Sequence, residues 1–239
     1  MGPMNRVRIA LLSLLGLLLA LPVVAEEPLS YAEQLIRSGE YALAEIALEK
    51  QIADHPVAAA RLLSDVYLFE GDLDRAQHWL ERAREAGLDD AAYYWQKGRI
   101  ESARANWSAA WAALRSAVAL APRPEYALLW GAVGLAQGDA ERAQLGFGKA
   151  ERSGSGASAL FLQGLTLLAT SPEQALAVLR RAQSELGSES PLKPQAIYWQ
   201  ARALERLGRV KEARSTLRFL LRSYPGYGPA RDELNRLGP

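Results

Sequence analysis

Small and large apolar residues recur along this chain in one register that repeats six times. The small residues are Ala32, Ser64, Gly98, Gly131, Gly164 and Ala201. Twelve positions later, or eleven in the fifth case, stands an alanine: Ala44, Ala76, Ala110, Ala143, Ala175 and Ala213. Four positions beyond each alanine comes a large residue: Leu48, Leu80, Leu114, Phe147, Leu179 and Leu217. Around these anchors the apolar positions follow the helical period, which predicts helix pairs near 29–54, 57–86, 91–120, 124–152, 157–186 and 194–223. Small side chains on two successive helices let their backbones approach, and a Leu or Phe one turn further on fills the gap to the next pair. Turn signals separate the helices at Gly39-Glu40-Tyr41, Gly71-Asp72-Leu73, Gly138-Asp139-Ala140 and Gly208-Arg209-Val210, with Asn106-Trp107 in the third unit. Pro56, Pro122 and Pro225 close second helices.

The alanines lie 32, 34, 33, 32 and 38 residues apart, a period that marks a helical repeat array. With the marker residues, the Gly turns and a second small residue at Ala83, Ala117, Ala150 and Ala182, the chain resembles the tetratricopeptide repeat family from about Pro28 to the C-terminus. Gln51 and Leu220 depart from the second small position in the first and last units, as array ends do. The resemblance implies an all-α fold, a right-handed superhelical solenoid of about six helix pairs at 28–56, 57–90, 91–123, 124–156, 157–187 and 194–227. A C-terminal cap helix over 228–239 is expected after Pro225-Gly226-Tyr227-Gly228-Pro229, with Leu234 and Leu237 on its covered side. The resemblance also implies that first helices line a concave groove for a protein or peptide segment, and places Arg61, Asp65, Phe69, Trp95, Arg99, Leu128, Tyr198, Arg202 and Arg206 in it. Arginines interleaved with aromatics suit an acidic segment. The asparagines and lysines of the family's carboxylate clamp are absent. Two readings stay open for Trp95 and Tyr198: presentation to a partner, or packing between adjacent first helices.

Residues 1–25 read differently. Arg6 and Arg8 precede an uncharged run from Ile9, and Val23 and Ala25 stand two apart before the polar Glu26-Glu27. This predicts a secretory signal peptide cleaved after Ala25. Ile9 to Ala25 provides 17 uncharged residues including Pro22, so an uncleaved inner-membrane anchor is the alternative. Cleavage would leave 26 Lys and Arg against 27 Asp and Glu, by removing two arginines from 28 basic residues. Near-neutral charge without a nucleic-acid motif argues against nucleic-acid binding. There is no cysteine, so the fold rests on packing alone and a lipid anchor on the mature N-terminus is excluded.

Candidate chemistry is sparse. The two histidines, His55 and His78, have no partners at metal-ligand spacing. Ser153-Gly154-Ser155-Gly156 lacks the strand–turn–helix setting of a nucleophile elbow, and Gly146-Phe147-Gly148-Lys149 lacks the glycine and hydroxyl of a phosphate loop. No cofactor and no enzymatic activity are expected. Glycines crowd units four and five, and each one inside a helix costs ~1 kcal/mol relative to alanine. Those units are either a compliant joint or a site of close packing against Trp130. The function expected is a periplasmic scaffold for a cell-envelope assembly such as pilus, secretion or polysaccharide-export machinery. The alternatives are a polysaccharide or peptidoglycan binder using Phe69, Trp95 and Tyr198, and a membrane-anchored assembly factor.

Overall fold

The computed structural model describes residues 29–238; the segment expected to be a signal peptide, with its expected cleavage after Ala25, lies outside them. Thirteen helices and no strand occupy the described residues. The fold is an all-α helical repeat solenoid. Two compact units divide it, one ending at Gln137 and the other beginning at Gly138.

The first unit holds α1 (Ser30–Ser38), α2 (Tyr41–Glu49), α3 (Pro56–Glu70), α4 (Leu73–Glu85), α5 (Asp90–Ala103), α6 (Trp107–Leu120) and α7 (Pro124–Ala136). Local chemistry sets the ends. Pro56 and Pro124 open α3 and α7, where a missing N–H costs nothing. Asp72 and Asp89 accept from the backbone N–H groups of Arg75 and Ala92, each at 3.0 Å, satisfying donors that have no partner inside the helix. Gly39 and Gly71 end α1 and α3 in the left-handed conformation. A core of Leu35, Leu48, Leu62, Leu63, Val66 and Leu80 runs between the pairs. The helix α7 is apolar around its circumference, with every residue from Tyr126 to Gly134 buried.

The second unit holds α8 (Ala140–Arg152), α9 (Gly156–Leu167), α10 (Pro172–Glu185), α11 (Leu192–Arg206), α12 (Val210–Ser223) and α13 (Gly228–Arg236). Asp139 caps α8 by accepting from Arg142 N–H at 3.0 Å. The last helix packs Ala230, Leu234 and Leu237 onto a core of Ile197, Ala201, Leu217 and Leu220.

The repeat register has a direct physical basis in both units. A Cβ built on Gly98 would stand 2.5 Å from Leu114 Cγ, and one on Gly164 would stand 2.5 Å from Leu179 Cγ. The large residue of the second helix therefore seats on the small residue of its own pair, and at these two sites only glycine leaves room. The marker alanines Ala44, Ala76, Ala110, Ala143, Ala175 and Ala213 are all fully buried. Among the described residues no helix is long and apolar enough to cross a membrane.

Candidate functional site

In the first unit, α3 and α5 bring five of the expected groove residues together. Arg61, Asp65 and Phe69 follow one another at one-turn intervals on α3, and Trp95 and Arg99 do so on α5. Asp65 is their centre. It accepts from Gln96 Nε2 at 2.8 Å, from Arg61 Nη1 at 3.3 Å and from Arg99 Nη1. Arg99 Nη1 also donates to Gln96 Oε1 at 2.6 Å, and Gln96 Nε2 reaches Ser64 Oγ at 3.2 Å. Asp65 and Arg99 are 8% and 3% exposed, so the carboxylate and the guanidinium neutralise one another out of water. Gln96 bridges the pair, donating to Asp65 and accepting from Arg99, and so takes up part of the hydrogen-bonding capacity that a buried ion pair must satisfy. Glu33, which follows the marker Ala32 as Asp65 follows Ser64, lies nearby; burial pushes its carboxyl up, and the positive charge of Arg61 opposes that shift.

An aromatic series flanks these charges. The Tyr41 and Phe69 rings stack with centroids 6.0 Å apart, and the Arg99 guanidinium lies 5.6 Å from the Phe69 centroid and 5.9 Å from that of Trp95. Trp95 stacks on Tyr126 of α7 at 4.7 Å, and Arg123 covers Tyr126 at 5.5 Å. Trp95 is only 3% exposed and Leu128 only 4%. Of the expected residues in this unit, Arg61 and Phe69 retain partial exposure, while Trp95, Arg99 and Leu128 are packed inside. Trp95 and Arg99 are covered here because the positions that line a groove in adjacent repeats carry groups that complement each other.

In the second unit α11 carries Tyr198, Arg202 and Arg206 along one face. Tyr198 is half-buried, 5.4 Å from Trp199 edge-on and 5.8 Å from Tyr227. Arg202 Nη1 donates to Glu233 Oε1 at 2.5 Å, and its Nε lies 3.5 Å from Glu205 Oε2. Arg206 is exposed as a residue, and its Nη1 donates to the Leu168 carbonyl at 2.5 Å. Glu233 also receives Arg236, whose Nε donates at 3.1 Å. Burial pushes the Glu233 carboxyl up, yet the hydrogen bond from Arg236 and the charge of Arg202 outweigh it and hold the group below its ordinary range. Tyr227, desolvated against Tyr198, has its phenol pushed up to about 12.

Solved structures carry the same arrangement of helix pairs. PilW, a type IV pilus biogenesis factor, superposes with a TM-score of 0.72 at 18% identity over 88% of this chain and 100% of its own. Pseudomonas aeruginosa PilF does so with a TM-score of 0.68 at 16% identity over 98% of this chain and 100% of its own. YrrB, described as a TPR protein with an unusual peptide-binding site, gives 0.59 at 16% identity over 78% of this chain and 97% of its own. The fold is the tetratricopeptide-repeat fold. No protein-family model matches the chain, and no curated protein matches its sequence.

Within this TPR architecture the residues that sequence reasoning missed are Ser64, Gln96, Tyr126 and Glu233. One signal was available. Asp65 and Arg99 are the same repeat position one unit apart, and opposite charges so placed pair across neighbouring first helices. Nothing comparable marks Glu233, which becomes buried only because α13 docks. Among the described residues no cluster of three or more His, Asp and Glu gathers as a metal ion would require.

Proposed function

We propose that this chain is an exported interaction scaffold for a cell-envelope assembly, which holds a protein segment along the concave faces of its TPR units. The observation that carries the reading is the fold, which extends over the full length of PilW, a type IV pilus biogenesis factor, and of PilF. The basic start at Arg6 and Arg8, the uncharged run after it and the small residues at Val23 and Ala25 support delivery to the periplasm with cleavage after Ala25. Helix arrays with dispersed, ion-paired carboxylates are suited to holding a partner rather than to acid–base chemistry.

The positions proposed for partner contact are those expected from the repeats: Arg61, Asp65, Phe69, Trp95, Arg99 and Leu128 in the first unit, and Tyr198, Arg202 and Arg206 in the second. The direct contacts fall to the accessible members, Phe69, Arg61, Tyr198 and Arg206, with Trp95 and the Asp65–Arg99 pair holding the face behind them. A photo-crosslinking residue placed at position 69 or 198 in cells should trap one discrete protein, and the same residue at Arg115 on α6 should not. Equal trapping from all three positions, or none from 69 and 198, would place binding elsewhere.

A further inference from the structure

The arginines assigned to the concave faces are already engaged: Arg61 and Arg99 by Asp65, Arg202 by Glu233, and Arg206 by the Leu168 carbonyl. A different set is not. On α12, Lys211, Arg218 and Arg222 are exposed and Arg214 is half-buried, and none of the four has a carboxylate partner among the described residues. Arg214 Nε is shielded from solvent and meets no acceptor. The only acid on this helix, Glu212, is held by Arg209 through two 2.6 Å bonds. Arg214, Arg218 and Arg222 recur every fourth residue, so their side chains leave one side of α12 at steps of ~6 Å. Phe219, one turn from Arg222, is 45% exposed, and Val210 at the start of the helix is 38% exposed. From Gly138 onward the sequence carries 15 Lys and Arg against 10 Asp and Glu, so no surplus of acid in this unit answers the row.

We propose that this face of α12 is a second docking surface, which receives an acidic polypeptide segment whose carboxylates are spaced one helical turn apart. It rests on the scaffold reading and adds the chemistry of a partner. The spacing of the row matches the spacing of side chains on a helix laid alongside. Phe219 provides the apolar seam beside it. Arg214 Nε has no acceptor within the described residues, so nothing there competes for that nitrogen. Arginine also offers the forked donor geometry that carboxylates accept.

The test uses the full chain and a labelled helical peptide with glutamates at every fourth position, read by fluorescence anisotropy at ~20 mM and ~150 mM salt. Saturable binding that weakens with salt is expected. It should fall at least ~10-fold in Arg218→Glu/Arg222→Glu and several-fold in Phe219→Ala. A peptide with glutamine in place of glutamate should not bind. Circular dichroism establishes that the double variant keeps its helicity; if it does not, Arg218→Gln/Arg222→Gln takes its place. The inference is overturned by binding that the double variant leaves unchanged, or by equal binding of the glutamine peptide. It is also overturned by capture on phosphatidylglycerol vesicles without peptide binding, which would assign the row to a lipid surface. Salt-sensitive self-association that the double variant abolishes, again without peptide binding, would assign it to a second copy of the chain. Crosslinking from positions 69 and 198 reports the concave faces separately, so either reading can fail alone.

Discussion

At Ala105 the backbone takes a φ of 57°, where four of the other repeats place Gly39, Gly71, Gly138 and Gly208 at 71–82°. The hydrogen bonds of the turn are the same. Ala105 N–H donates to the Ser102 carbonyl at 3.0 Å and Asn106 N–H to that of Glu101 at 2.9 Å, as Gly71 and Asp72 donate to Leu68 and Tyr67. The third unit therefore builds its turn with a side chain that this conformation disfavours by ~1–2 kcal/mol. Asn106 Nδ2 and Arg104 Nη1 hold the turn by donating to Glu101, at 2.9 and 3.2 Å. Ala105→Gly should stabilise the first unit by roughly 0.5–1 kcal/mol, the relief of strain exceeding the greater freedom of glycine in the unfolded chain. A higher denaturation midpoint with an unchanged slope would show it; a lower midpoint would mean that the turn is not strained.

Between helices, two glycines with opposite surroundings separate packing from propensity. Gly98→Ala should destabilise by ~1–3 kcal/mol, because the new methyl meets Leu114 Cγ at 2.5 Å and overpacking outweighs a propensity gain of ~1 kcal/mol. A Cβ on Gly148 would make ordinary contact, 3.6 Å from Arg152 Nη1, so Gly148→Ala should stabilise by up to ~1 kcal/mol. Equal thermal shifts for the two variants would count against the register. The cap helix α13 has its own pH window. The folded-state pKa of Glu233 is depressed, so its contribution is present above the ordinary carboxylate value and lost as pH falls through the folded one. That of Tyr227 is raised to about 12, so its contribution is full below ~10 and lost as pH rises through 12. Amide exchange within α13 should be slowest between about pH 5 and 10 after correction for the intrinsic rate, and Glu233→Gln should remove the acid limb alone.

For the molecule as a whole, two compact units meeting in sequence at Gln137 and Gly138 imply unfolding that is not a single all-or-none step, since repeat arrays gain stability locally. Leu63 and Leu217 are fully buried, one in each unit. Each Leu→Ala change should cost ~2–5 kcal/mol in its own unit. Leu63→Ala is expected to lower one denaturation transition and Leu217→Ala the other. Identical effects of both variants on one shared transition would show the two units to be fully coupled.

Helices, their pairing and the register were legible in the sequence because each depends on residues close along the chain. A helical period of apolar positions sets a helix, glycine sets a turn, and a glycine twelve residues before an alanine makes room for the leucine four beyond it. The expected binding positions were legible only as positions. Asp65 and Arg99 were both assigned to a groove, and the assignment treats each repeat alone; their pairing depends on how neighbouring first helices are spaced, a separation of 34 residues that side-chain pattern within one unit does not contain. Burial of Trp95 against Tyr126 and of Glu233 beneath Arg202 and Arg236 was decided in the same way, by which helix comes to lie on which. The row of cations on α12 was present in the sequence throughout, but so were twenty-two other Lys and Arg residues after Pro28 that look no different on paper. The tertiary structure alone decided that these four leave one helix with no carboxylate of the described residues in ion-pair contact, because a charge is available to a partner only when none of its own chain neutralises it.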